Sequence, residues 1–169
     1  MLFLGIDPGL DGALAVVNER GEFMQVDDAP TTRKGKRDYL LQDMVLLLDT
    51  ITHLDGVQAG IERVHAFPGQ GVTSMFSMGH GFGIWKGILA TCDIPFVLIE
   101  PAVWKRSSGL LGKDKEASRL LAQQRWPTAP LSLKKFHGRA EALLIADYTR
   151  RLKWQGQLKG VDHGRDQTE

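Results

Sequence analysis

Along the first hundred residues, short apolar runs alternate with polar punctuation, and each run has strand length or helical period. Residues 2–6 are apolar and stop at the turn signal Asp7-Pro8-Gly9. Residues 13–17 predict a second strand, 18–21 a hairpin turn, and 22–26 a third strand of alternating character, so a three-strand meander opens the chain. The polar stretch 28–36, with Pro30, Gly35, Arg33, Lys34 and Lys36, predicts a mobile loop. From 37 to 54, Leu40, Leu41, Met44, Leu47, Leu48 and Ile51 recur at helical spacing. Residues 57–61 give another buried strand ending at Glu62. A Pro/Gly loop over 65–71 leads into a long helix at 72–90, despite the helix cost of Gly79, Gly81, Gly83 and Gly87. Residues 94–99 read as a fifth strand. Asp114 predicts the N-cap of a helix that runs to Arg125 and stops at Trp126-Pro127. A last helix over 138–153 carries Ala140, Leu143, Leu144, Tyr148 and Leu152 as an inward stripe, and the polar stretch 154–169 is expected to be a flexible tail. The order βββαβαβαα predicts an α/β domain over 1–153. Its five-stranded mixed sheet combines an antiparallel meander with parallel strands and is flanked by helices.

Composition narrows the class. At 169 residues and 43% hydrophobic, with one cysteine, the chain is long enough for a real core and unlike collagen, disulfide-stapled or disordered sequences. Cys92 has no partner for a disulfide and reads as a small core residue, which fits a reducing, cytoplasmic setting. No stretch approaches the roughly 18 apolar residues of a membrane span, and the start reads as a strand rather than a leader. The net charge of +1 hides a division. Residues 1–100 carry 7 Lys/Arg against 13 Asp/Glu, whereas residues 101–153 carry 12 against 4. An acidic first part suits metal and a basic second part suits phosphate; solvated helix faces produce the same asymmetry.

Asp7 and Glu62 each follow a short apolar strand, where side chains project from a sheet edge. If those strands are neighbours the carboxylates converge, and a divalent cation relieves their repulsion; Asp7 also suits a plain Asp-Pro-Gly turn. His137 and Glu141 stand at i, i+4 on one helical face and offer further ligands. Asp147 lies about 120° around that helix from Glu141 and reads as a surface or capping charge. Lys105, Arg106, Lys113, Lys115, Arg119, Lys134, Lys135 and Arg139 lie between the fifth strand and the Glu141 helix, where they suit backbone phosphates. Arg125, Arg150 and Arg151 read as a solvated surface, and Arg33, Lys34, Lys36 and Arg37 as a second contact on a loop.

The run Gly5-Ile6-Asp7-Pro8-Gly9-Leu10-Asp11-Gly12, the strand end Ile61-Glu62 before a glycine-bearing helix, and His137-Gly138-Arg139-Ala140-Glu141-Ala142-Leu143-Leu144 together resemble the RuvC-type Holliday junction resolvases. Pro101-Ala102-Val103-Trp104-Lys105 and Lys113-Asp114-Lys115-Glu116-Ala117-Ser118-Arg119 are similar to the stretch before the last helix in the phage and prophage branch. The resemblance covers about residues 1–153 and implies an RNase H-like fold. It also implies that Asp7, Glu62, His137 and Glu141 bind two Mg²⁺ or Mn²⁺ ions and hydrolyse phosphodiesters of four-way DNA junctions, leaving 5′-phosphate and 3′-hydroxyl ends. Some relatives carry a carboxylate at the position of Gly138, which leaves His137 as either a ligand or a proton-transfer group. The family places a base-stacking aromatic in the loop after Glu62, where His65 and Phe67 stand; Phe67 equally suits a core. Gly79, Gly83 and Gly87 recur every four residues, either as the face of a homodimer, as the family implies, or as a contact with the chain's own sheet. Two rival functions stay open: a broader nuclease on forks, flaps or RNA–DNA hybrids, and a junction-binding protein with weakened catalysis.

Overall fold

The structure, a computed structural model, describes residues 1–32, 34–52, 56–66 and 68–154. Strands β1 (Leu2–Asp7), β2 (Ala13–Asn18) and β3 (Phe23–Asp28) form the expected meander, joined by β4 (Val57–Glu62) and β5 (Phe96–Ile99). The sheet order is β3-β2-β1-β4-β5, antiparallel among the first three strands and parallel from β1 to β4 to β5. Helices α1 (Leu41–Thr52) and α2 (Val72–Thr91) cover one face of the sheet. Helices α3 (Pro101–Ser107), α4 (Lys115–Arg125) and α5 (His137–Trp154) cover the other.

Side-chain alternation along β1 divides the core. Leu4 and Ile6 pack with Trp85 and Leu89 of α2, while Phe3 packs with Leu143, Leu144 and Trp104 on the α5 side. Gly5 shares the Phe3 face. A Cβ there would lie 2.0 Å from the Ala142 carbonyl oxygen and 2.3 Å from the Ala146 nitrogen, so α5 lies directly against the β1 backbone. Gly60 of β4 does the same beneath Thr149. Parity then places Asp7 and Glu62, two residues beyond these glycines, on the α5 face.

Several expectations are corrected. Residues 37–40 stand outside α1: a bridge pairs Thr31 with Tyr39, and the Tyr39 hydroxyl donates to the Pro8 carbonyl at 2.9 Å. The stretch expected to be a mobile loop is thus closed by hydrogen bonds at its base, including Thr32 N to Asp38 O at 2.9 Å. Helix α3 was not foreseen; it is short and begins at Pro101, whose fixed φ suits a first helical position. The stripe on α5 widens to a helix buried nearly all round, with Ala142, Ile145, Ala146 and Thr149 inaccessible, because α4 and the sheet grip it from different sides. The Asp114 cap is present: its carboxylate accepts from Ala117 N at 2.9 Å. Among the described residues no helix is long and apolar enough to cross a membrane. Arg33, Phe67 and the tail beyond Trp154 lie outside the described residues.

Candidate active site at the carboxylate edge

The parallel register sets Ile6 beside Ile61, so the next residues, Asp7 and Glu62, leave adjacent strand ends on one face. Glu141 descends onto them from the first turns of α5. Electrostatics link the three. Asp7 is pushed up to about 7, first by burial and then by the charges of Glu62 and Glu141; the Gly9 amide and Lys115 oppose the shift. Burial likewise raises Glu62, against a hydrogen bond from Trp104 and the charges of Lys105 and Lys115.

Each carboxylate has a distinct support. Asp7 Oδ1 accepts from Gly9 N at 3.3 Å. Glu62 Oε1 accepts from the indole Nε1 of the fully buried Trp104 at 2.9 Å. Glu141, 6% exposed, stands 3.6 Å from the Lys105 ammonium, and its Oε1 accepts from the buried Ser118 hydroxyl at 3.4 Å. Trp104 and Ser118 were visible only as parts of the motif stretch. Nothing local in sequence marks their role, since the partners lie 42 and 23 residues away.

Removing the indole donor tests this support. Trp104→Phe keeps most of the apolar volume and deletes the bond that lowers Glu62, so Glu62 titrates higher. If Glu62 must be ionised to act, the acid limb of a pH–activity profile moves to higher pH in the variant. An unmoved limb contradicts the support.

His137 opens α5, with a buried Nδ1 that has no hydrogen-bond partner. Its charge bears on Glu116 of α4. Gly138 has no room for a side chain: a Cβ would lie 2.1 Å from the Asp11 carbonyl oxygen, so the Asp11-Gly12 turn packs onto the start of α5. Among the described residues no three His, Cys, Asp or Glu side chains stand as a closed ligand cluster. Trp104, Ser118 and Lys105 hold Glu62 and Glu141 by separate contacts, and like charge opposes closer approach.

The basic residues divide. Lys113, Lys115, Lys134, Lys135, Arg106, Lys34 and Lys36 are exposed, and Lys105 is half-buried over the Trp104 ring. Arg119 is withdrawn from the expected phosphate track. It is 7% exposed, and its guanidinium is used on Glu116, Gln123 and the Leu131 carbonyl. Arg139 is clasped to Asp28 by bonds of 2.6 and 2.8 Å and stacks on Phe136. Arg37 ties Asp11 at 2.6 Å and also holds the Leu10 carbonyl. His65 Nε2 stands 2.7 Å from Glu100. Asp147 is not a surface charge: it is 7% exposed and pairs with Arg125, Arg150 and Arg151, so those arginines are not a plain solvated face.

The glycine stripe of α2 also resolves. Cβ atoms at Gly79, Gly83 and Gly87 would meet nothing within 4 Å, whereas one at Gly81 would strike the Tyr39 hydroxyl at 2.1 Å. The three stripe glycines therefore face away from the chain's own sheet.

The mixed sheet, its strand order and the two helical layers define an RNase H-like fold of the RuvC type. In particular, the chain superposes on RuvC of Thermus thermophilus, solved in complex with a Holliday junction substrate, with a TM-score of 0.67 and 16% identity over 92% of this chain and 96% of that one. A second structure of Thermus thermophilus RuvC matches with a TM-score of 0.66 and 18% identity, covering 92% of this chain and 97% of that one. No family model matches the chain, and no curated protein matches it in sequence.

Proposed function

We propose that the chain is a cytoplasmic, divalent-metal-dependent endonuclease that resolves four-way DNA junctions as a homodimer. The observation that carries this reading is the delivery of Asp7, Glu62 and Glu141 from three separate elements to one sheet edge, where burial first, and then the charges of the other two, lift Asp7 to about 7. The fold shared with a junction-bound RuvC supports the choice of substrate.

The residues fit a hard cation. Three carboxylates at one edge offer the oxygen donors that Mg²⁺ or Mn²⁺ prefers, though without a closed cluster among the described residues, and His137, with a buried unpartnered nitrogen, is a donor type better tolerated by Mn²⁺. Asp7, Glu62 and Glu141 would hold the metal, with His137 as a ligand or as the group that orients the attacking water. Two bound ions would supply water activation and stabilisation of the departing 3′-oxygen. Asp7 must be ionised for this task, which requires its proton to leave. Lys105 provides positive charge beside Glu141 in the metal-free protein, and Lys115 acts on Asp7 and Glu62 in the same sense. These two lysines act at the carboxylates, and the exposed Lys113, Lys134, Lys135, Arg106, Lys34 and Lys36 would serve as phosphate contacts. The family's wedge position falls to Phe67.

Dimerisation is proposed through α2. Its outward glycines leave a smooth face, and Val72 and Phe76 are 78% and 75% exposed. Gly138, closed to any acid, favours the second reading, a junction binder with weakened catalysis. Four-way junctions, forks, flaps and RNA–DNA hybrids offered side by side in Mg²⁺ or Mn²⁺ separate these readings. Junction nicking far above the rest is expected. Equal cutting of forks or hybrids favours the broader nuclease, and tight junction binding without nicks favours the binder.

A further inference from the structure

A second polar site lies at the other end of the fold. β1 pairs Asp7 with Ala13 at one end and Leu2 with Asn18 at the other, so the turn after Asn18 is a full strand length from the carboxylate edge. Between that turn and the C-terminal half of α5 is a cavity of about 310 Å³ lined by Arg20, Gly21, Arg125, Trp126, Asp147, Arg150 and Arg151. Three guanidinium groups thus converge on one carboxylate, and Arg20 lines the same cavity.

Asp147 uses both oxygens to orient the three. Its Oδ2 accepts from Arg125 Nη1 at 3.2 Å, and its Oδ1 from Arg150 Nε and Nη2 at 3.1 and 2.7 Å. Arg151 Nε stands 3.2 Å from Oδ2, while its Nη1 donates to Ser107 at 3.0 Å. The buried Nη2 of Arg151 has no hydrogen-bond partner, and the Arg20 side chain makes no pair among the described residues. Gly21 has positive φ, and a Cβ there would stand 3.1 Å from Arg150 Nε, so glycine leaves room for the arginine fork.

Arg150 Nη1 donates to the Glu19 carbonyl at 3.5 Å, but a single carboxylate does not offset the charge of the four arginines that line the cavity, and the buried Arg151 Nη2 lacks an acceptor. A phosphate group brings the missing charge, and its oxygens match guanidinium forks that Asp147 has already fixed in place. We propose that this cavity is a phosphate-binding site, separate from the carboxylate edge. It does not depend on the nuclease reading. The phosphate comes either from a DNA backbone or from a free phosphate compound.

The test uses Arg20→Gln combined with Arg125→Gln, which leaves Asp147 paired to Arg150 and Arg151; Arg20→Gln alone removes no contact within the described chain. Thermal melts compare sodium phosphate with sodium chloride at equal ionic strength. Phosphate is expected to raise the wild-type melting temperature by roughly 2–4 °C, with most of that shift lost in the double variant and part of it in Arg20→Gln. A second arm measures binding of a short unbranched duplex against salt. A salt slope lower by about 1 in the double variant assigns the phosphate to DNA, whereas an unchanged slope assigns it to a free phosphate compound. No phosphate-specific shift in the wild type, or an equal shift in the double variant, overturns the proposal and leaves the arginines as a structural hub for Asp147.

Discussion

Asp7→Asn is expected to abolish the proposed metal-dependent nicking, a loss of about a thousandfold or more, and at the same time to make the metal-free protein more stable at pH 8. Both effects follow from one cause. Asp7 sits among protein atoms beside Glu62 and Glu141, which disfavours its ionised form, and a bound cation would relieve that cost. In the unfolded chain it ionises near 3.8, in the folded chain at about 7. Between those values the folded state holds a proton that the unfolded state has lost, so stability falls as pH rises through the window and stays low above it. Asparagine carries no such penalty. Because the side chain keeps some contact with solvent, the gain expected at pH 8 is about 2 kcal/mol rather than the full shift. Below pH 4 the two proteins converge. Urea unfolding of both, without metal at pH 4 and pH 8, checks the sign, and a variant weaker than wild type at pH 8 would show that Asp7 is not under charge strain.

Gly5→Ala carries the largest expected loss of stability, more than about 3 kcal/mol. The added methyl would stand 2.0 Å from the Ala142 carbonyl oxygen and 2.3 Å from the Ala146 nitrogen, both backbone atoms of a helix buried on nearly every side. Neither can swing away as a flexible side chain could, so α5 must lift from β1. That movement also carries Glu141 away from Asp7, and activity is expected to fall with stability. Gly79→Ala is the control: its Cβ enters open space, and alanine improves helix propensity by up to about 1 kcal/mol. A wild-type unfolding midpoint for Gly5→Ala would contradict the close contact on which the site geometry rests.

Much of the fold was legible because strand length, turn residues and helical period agree with one another. Residues 2–6, 13–17 and 57–61 end at residues that the sheet leaves at its edge, and the Asp114 cap announces α4. Asp7 and Glu62 were visible as acids closing apolar runs, but their common face depends on Gly5 and Gly60 beneath α5, which no local pattern displays. Trp104 and Ser118 escaped for the same reason. The charge asymmetry misled in part: Arg139 and Arg119 are cations of the basic half, yet one clasps Asp28 across the fold and the other is buried against Glu116 and Leu131. Sequence counts such charges and cannot tell which are already paired. Asp147 shows the converse, a buried acid that organises three arginines where helical spacing suggested an exposed one.

The most direct measurement is nick mapping on a synthetic immobile four-way junction, with all four strands labelled in turn, for wild type and Glu141→Gln in Mg²⁺ and in Mn²⁺. Paired, symmetric nicks with 5′-phosphate ends are expected from wild type alone, while Glu141→Gln still binds the junction. Nicks of equal yield from Glu141→Gln, or a junction bound by wild type and left uncut in both metals, would contradict a nuclease centre at the carboxylate edge.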